Sequence, residues 1–189
     1  MSRILWVPWL CLALLVAGCQ QSATAPPPAA GTNQAVAKPP PPVWPPGAEV
    51  WPPTNAQPKL ATIKLFVGPE TVETELALTP VQVGTGMMFR KQMAENEGML
   101  FVFARPHRPA FYMKNTIVPL TVAYIDSEGT IVELHDLQPL NETAVEAGSD
   151  SIQFVLEMKQ GWFQRHNVGP GAVITSEKGR LLEIARGGR

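Results

Sequence analysis

The chain has 189 residues, 45% of them hydrophobic, which allows one well-packed domain plus accessory segments. Its formal net charge is −1, from 15 basic and 16 acidic residues with no lysine or arginine block, so it carries no electrostatic footprint for nucleic acid. Both cysteines, Cys11 and Cys19, lie near the N-terminus, which excludes a disulfide staple and any cysteine-based zinc or redox site further along the chain.

Arg3 supplies a small positive region, and residues 4–16 form an apolar run interrupted by Pro8. That run is shorter than the roughly 20 apolar residues a spanning helix needs, so a secretory signal over residues 1–18 fits better than an uncleaved anchor. Val16-Ala17-Gly18-Cys19 resembles a bacterial lipobox, in which a cysteine preceded by small residues is lipidated and becomes the first residue of the mature chain. The expected membrane partner is therefore reached through lipid on Cys19, with several acyl chains because one alone binds only marginally. Gln20 stands where an aspartate would favour inner-membrane retention. The expected location is thus a periplasm-facing lipoprotein of the bacterial cell envelope, at the outer membrane.

Residues 19–58 read as a tether rich in Ala, Pro, Gln and Thr. Prolines at 26–28, 39–42, 45, 46, 52, 53 and 58 favour extended polyproline-like geometry and remove backbone donors. At about 3.1 Å per residue such a segment reaches on the order of 100 Å. Within it Val43-Trp44-Pro45-Pro46 recurs as Val50-Trp51-Pro52-Pro53. The repeat suits a docking motif for an aromatic-lined groove; a composition-driven linker is the plainer reading.

Residues 59–189 are expected to form one β-rich domain. Ile63 and Leu65 alternate with polar neighbours, Gly68-Pro69-Glu70 signals a turn, and 72–78 alternates again, which predicts a hairpin. Thr79-Pro80 begins a short helix, cut back by Gly84 and Gly86. Residues 99–103 form a continuous apolar run of strand length, expected to be buried on both faces. Arg105-Pro-His-Arg-Pro109 is expected to leave the sheet interior because its prolines lack donors. A strand at 111–113, the polar break Lys114-Asn115-Thr116 and a strand at 120–126 follow. Ser127-Glu128-Gly129 turns the chain into a strand at 130–137. After a polar loop over 138–151, the next strand puts Ile152, Phe154, Leu156 and Met158 inward, with Gln153 and Glu157 on the opposite face. A short helix over 160–166 buries Trp162 and Phe163, and 172–175 with 181–185 supply a last hairpin. The predicted fold class is all-β, with one or two short helices, as a small β-sandwich or a partly open β-barrel.

The chemistry-bearing residues are few. His107, His135 and His166 have no metal-ligand spacing, so no metal and no cofactor is expected. No G-x-S-x-G pattern marks a nucleophile elbow. The methionines at 87, 88, 93, 99, 113 and 158 suit core positions better than copper ligation. The strongest candidate is Lys114-Asn115-Thr116, a polar break after a buried strand, with Arg90 and Glu157 able to complete a cluster of donors and an acceptor. Against it stands a self-bonded turn at Asn115 and Thr116, with Lys114 and Glu157 forming an exposed ion pair.

Gly98-Met-Leu-Phe-Val-Phe, Phe111-Tyr-Met-Lys-Asn-Thr, Pro119-Leu, Phe154-Val-Leu-Glu157 with Gly161, and Pro170-Gly171 together resemble the family called domain of unknown function 192, over roughly residues 60–175. The resemblance implies a small, mainly β domain of exported or lipid-anchored proteins and transfers no activity. Thr121 stands where similar proteins usually carry an acid, and the loop at 139–151 lacks the cysteines that many have. The expected function is a non-catalytic, monomeric accessory domain that binds a small molecule or an envelope protein near Lys114-Asn115-Thr116. A hydrolase-like envelope enzyme using Lys114 and Glu157, and a structural domain with no ligand site, remain alternatives.

Overall fold

The computed structural model describes residues 53–187. The expected signal segment, Cys19, Trp44 and Trp51 lie outside the described residues. Strands β1 (Thr62–Val67) and β2 (Glu70–Ala77) form the expected first hairpin, and α1 (Pro80–Thr85) follows. Then come β3 (Glu97–His107), β4 (Ala110–Phe111), β5 (Leu120–Asp126), β6 (Ile131–Leu137), β7 (Val145–Glu146) and β8 (Ile152–Lys159). The chain closes with α2 (Trp162–Arg165), β9 (Ile174–Ser176), β10 (Gly179–Arg180) and α3 (Leu181–Gly187).

Eight strands make one sheet in the order β10-β9-β1-β2-β3-β8-β5-β6, while β4 and β7 pair separately. Every neighbouring pair in the large sheet is antiparallel except β2 and β3, whose parallel register requires the crossover through α1. The sheet is not closed, but its ends approach each other. Ile131 donates to Ala172 O, Gly171 to Ile131 O and Ile174 to Gly129 O, each at 2.8 Å, so the start of β6 is stitched to the segment leading into β9. The described residues are therefore mainly β with three short helices, and the partly open barrel describes them well.

Two hydrophobic clusters flank the sheet. One face buries Leu65, Leu100, Phe154, Leu156 and Met158 against Trp162, Phe163 and Leu181 of the helices. The other buries Met99, Phe101, Leu120, Val122, Tyr124 and Val155 beneath Met87, Met93, Met113 and the chain around β4 and β7. Burying each of these larger apolar side chains contributes about 1.5–3 kcal/mol, so both layers hold the domain together. Strands β8 and β5 and the first half of β3 consequently have no solvent face, whereas β3 is exposed from Ala104 to His107. Gly98 marks how closely they pack: a Cβ there would meet the Met158 sulfur at 2.7 Å and the Glu157 carbonyl oxygen at 3.1 Å.

Three local expectations are corrected. Residues 181–185 do not form a strand; Leu181 and Ile184, three apart, bury one side of α3, and the last hairpin is β9 with β10. Strand β3 runs on through Pro106 to His107, where a register irregularity between Val102 and His107 accommodates the missing proline donor. The strand expected at 111–113 is only Ala110–Phe111 and pairs with β7, inside the supposed loop, rather than joining the sheet. The expected helix start does form: Thr79 and Gln82 make a reciprocal capping box ahead of Pro80. The domain's contacts begin before residue 59, since the Gln57 side-chain amide donates to the carbonyls of Gln82 at 3.2 Å and Gly86 at 2.9 Å.

Candidate functional site

Strand β8 alternates as the sequence indicates, but the face carrying Gln153, Val155 and Glu157 is also buried. Register lines up one row across that face: Glu75 on β2, Met99 on β3, Glu157 on β8, Val122 on β5 and His135 on β6. Glu157 sits in the middle of the row, with apolar neighbours on either side. The nearest charged members of the row are two strands away, about 10 Å at the usual strand spacing. Both are already occupied. Glu75 accepts from Arg90 Nη2 at 2.8 Å, and His135 Nε2 lies 2.8 Å from Glu133 Oε2.

Glu157 is 4% exposed, and its Oε2 is buried with no hydrogen-bond partner among the described residues. Burial alone pushes its carboxyl up from 4.5 to about 8. The nearby Tyr124 phenol is fully buried and is itself pushed up, by burial first and then by the Glu157 charge. It gives no help, because its hydroxyl donates to the Val145 carbonyl at 2.6 Å and ties β7 down over the sheet.

Glu157 lies in the lining of a cleft of about 610 Å³, within the range that holds small organic molecules. One wall is α1 and the turn after it, including Val83 and Met87; the other is the arm from Phe101 through Phe103 and Phe111 to Tyr112. Phe101 and Phe111 meet edge to face with ring centres 4.8 Å apart, which holds the aromatic wall in shape. The titratable groups in the lining are Glu157, His107 and Tyr112, and none of the lining residues is lysine or arginine. His107 stacks edge-on against Phe103 and pairs with Ile152, five residues along β8 from Glu157, which places it on the order of 15 Å away.

Of the residues singled out from sequence, the structure brings Thr116 and Glu157 into this cleft. Lys114-Asn115-Thr116 is a structured turn. Thr116 N–H donates to the Met113 carbonyl at 3.1 Å and its hydroxyl to the Lys114 carbonyl at 3.1 Å. Asn115 has φ of 53°, in the left-handed region that Asn tolerates better than most residues, and its carbonyl accepts from Phe89 N–H at 2.8 Å. The turn thus anchors the segment after α1 that walls the cleft. Lys114 does not meet Glu157; its ammonium lies 3.8 Å from Glu142 at the surface. Arg90 is on the same face of the sheet as Glu157 but is held by Glu75 and the Pro58 carbonyl. Thr121, at the position where an acid would be usual, donates to Asp136 Oδ1 at 2.6 Å and accepts from Gly161 N–H at 2.9 Å, so it ties β6 to the turn before α2.

Sequence reasoning missed the cleft walls. Val83 and His107 belong to no motif, Phe103 and Phe111 figure only in the stretches that resemble the family, and only the crossover of α1 over the sheet sets these side chains opposite one another.

Solved structures similar to this chain include two from bacteria. One, a proposed transcription regulator from Sinorhizobium meliloti 1021, shares 31% identity at a TM-score of 0.61 over 64% of this chain and 97% of its own. The other, a protein of unknown function from Novosphingobium aromaticivorans DSM 12444, shares 28% identity at a TM-score of 0.58 over 61% of this chain and 85% of its own. No curated protein matches the chain. The family profile described as "Uncharacterized ACR", domain of unknown function 192, matches residues 63–176, the whole span from β1 to β9 that builds the sheet and the cleft, and the chain belongs to that family.

Proposed function

We propose that the protein is a binding module of the bacterial cell envelope, held to a membrane through lipid on Cys19, that takes a small, mainly apolar ligand in the cleft over Glu157. The observation that carries the reading is the carboxyl oxygen left without a partner in the lining of an otherwise apolar cleft. An unsatisfied buried polar group costs about 1–3 kcal/mol, and more if charged, whereas a leucine or methionine at the same place would simply extend the core. A side chain kept at that cost fits a group that meets its partner on a ligand.

The binding reading is favoured over hydrolysis. Lys114, the expected partner of Glu157, is turned toward Glu142, and the Thr116 hydroxyl is engaged by the Lys114 carbonyl, so among the described residues no activated nucleophile adjoins the carboxyl. The near-neutral charge balance of the chain gives no support for carrying over nucleic-acid regulation from the Sinorhizobium protein.

The test is a fluorescence titration of the full-length chain with Nile red, a neutral apolar dye. Saturable binding that is lost in Val83→Trp, which fills the cleft from α1, supports the reading. Undiminished binding in that variant, or no binding to wild type, rules out the cleft as the site. The anchor is checked separately: Cys19→Ala is expected to move the protein from the membrane to the soluble fraction, and unchanged fractionation refutes lipid attachment.

A further inference from the structure

The groups facing Glu157 define what a ligand must bring. Register sets Glu157 between Met99 of β3 and Val122 of β5, with Tyr124 and Val155 one pair further along the same face, and Thr116 shares the cleft lining. The charged groups on the same face are committed elsewhere: Arg90 to Glu75, and Glu133 to His135 and to Gly148 N–H at 2.7 Å. His107 is the one other titratable group of the lining that can carry positive charge, and it lies at the far end of the cleft. No cation among the described residues therefore reaches the Glu157 carboxyl, and the compensating charge is expected to enter with the ligand. A divalent metal is a poor match, because it needs about six oxygen ligands and this site offers one carboxyl among apolar walls. An organic ammonium matches both features. Its charge meets the carboxylate, and Phe101, Phe103, Phe111 and Tyr112 line the cleft with aromatic rings, a class of side chain that attracts cations and whose apolar bulk accepts the remainder of the molecule.

We propose that the cleft binds small aryl or alkyl amines as ammonium ions, with Glu157 as the counter-ion and the aromatic arm from Phe101 to Tyr112 as the wall. This rests on the ligand-binding reading of the cleft and specifies its ligand class. The proton balance follows directly. In the free protein burial keeps the carboxyl protonated up to about pH 8. When R–NH₃⁺ enters, the carboxyl O–H releases its proton to solvent and the carboxylate pairs with the ammonium, so close to one proton leaves per amine bound at pH 7. Affinity rises with pH toward 8, by up to about tenfold per unit, and levels off until the amine itself loses its proton.

The experiment is titration calorimetry of the full-length chain with 2-phenylethylamine and with its neutral counterpart 2-phenylethanol, at pH 6, 7, 8 and 9, in two buffers of different ionisation enthalpy. The expected result is amine binding that tightens close to tenfold from pH 6 to 7 with proton release, at least tenfold preference over the alcohol at pH 8, and loss of both effects in Glu157→Gln. Proton release by the wild-type protein is decisive even if the variant folds poorly. If the alcohol binds as tightly as the amine at pH 8, or the amine binds without releasing a proton, the ligand class is wrong while the cleft stands as a binding site. If neither compound binds but Nile red does, the amine assignment again fails alone. If Nile red also fails, the binding reading beneath it falls too.

Discussion

Replacing Glu157 by glutamine is expected to stabilise the folded domain progressively as pH rises. Burial lifts the carboxyl from 4.5 to about 8, while in the unfolded chain it ionises at its ordinary value. Between those two values the folded state holds one more proton than the unfolded state, so wild-type stability falls with rising pH by a little over 1 kcal/mol per unit. The contribution is intact below pH 4.5 and is lost as pH passes through about 8. The ceiling, from a difference of 8 minus 4.5, is about 5 kcal/mol, a large share of the 5–15 kcal/mol that typically holds a domain folded. Glutamine has nearly the same volume and does not ionise, so it removes this term while keeping the packing. Urea unfolding of both proteins at pH 5, 6, 7, 8 and 9 gives the comparison. The Glu133 carboxyl, held below its usual range by His135 and Gly148 against the cost of burial, titrates in both proteins and cancels in the difference. The variant is expected to gain about 3–5 kcal/mol on wild type between pH 5 and pH 9. A difference that stays constant over that range would mean that Glu157 ionises as an exposed carboxyl does, and the argument from burial would be wrong.

Other substitutions separate the groups that the structure engages from those it leaves at the surface. Arg90→Ala leaves Glu75, whose side chain is only 14% exposed, with the Leu60 N–H but without its cation, and is expected to cost about 1–3 kcal/mol in chemical denaturation; Lys114→Ala, removing a long surface pair, is expected to stay within about 0.5 kcal/mol. Gly98→Ala drives a methyl against Met158 and the Glu157 backbone and is expected to lower stability by about 1–3 kcal/mol, read as a fall in the urea midpoint at unchanged slope. Tyr124→Phe removes the hydroxyl that holds the Val145 carbonyl, so hydrogen exchange is expected to quicken in β7 with a global loss of about 1–2 kcal/mol.

The periodic parts of the chain were legible before folding. The alternation of Ile63, Leu65 and Val67, of Val72, Thr74 and Leu76, and of Ile152 to Met158 names one buried face for each strand, because side chains on a strand change sides at every residue. Thr79-Pro80 and its capping glutamine likewise announce a helix start through local hydrogen bonding alone. Elements of two residues were not legible. Strands β4 and β7 exist only because they meet each other across the 33 residues that separate Phe111 from Val145, and no local propensity encodes that encounter. In α3 the pair Leu181 and Ile184 fits a helix turn, yet the run is too short for its period to stand out from a strand.

The candidate site divides along the same line. Sequence by itself pointed to a mainly β domain over residues 59–189, to Lys114-Asn115-Thr116 as a break in a hydrophobic stretch, and to Glu157 as opposing the inward face of its strand. These follow from chain-local rules of alternation and turn chemistry. Tertiary structure alone decided that the opposite face is buried as well, that Arg90 answers to Glu75 rather than to Glu157, and that Lys114 turns toward Glu142. The reason is register. Which side chains become neighbours in a sheet depends on strand order and on what covers each face, and both arise from contacts far apart in sequence. Glu157 was visible as a polar residue in a strand; its isolation between Met99 and Val122, beneath an apolar cleft, exists only once β3, β8 and β5 lie side by side.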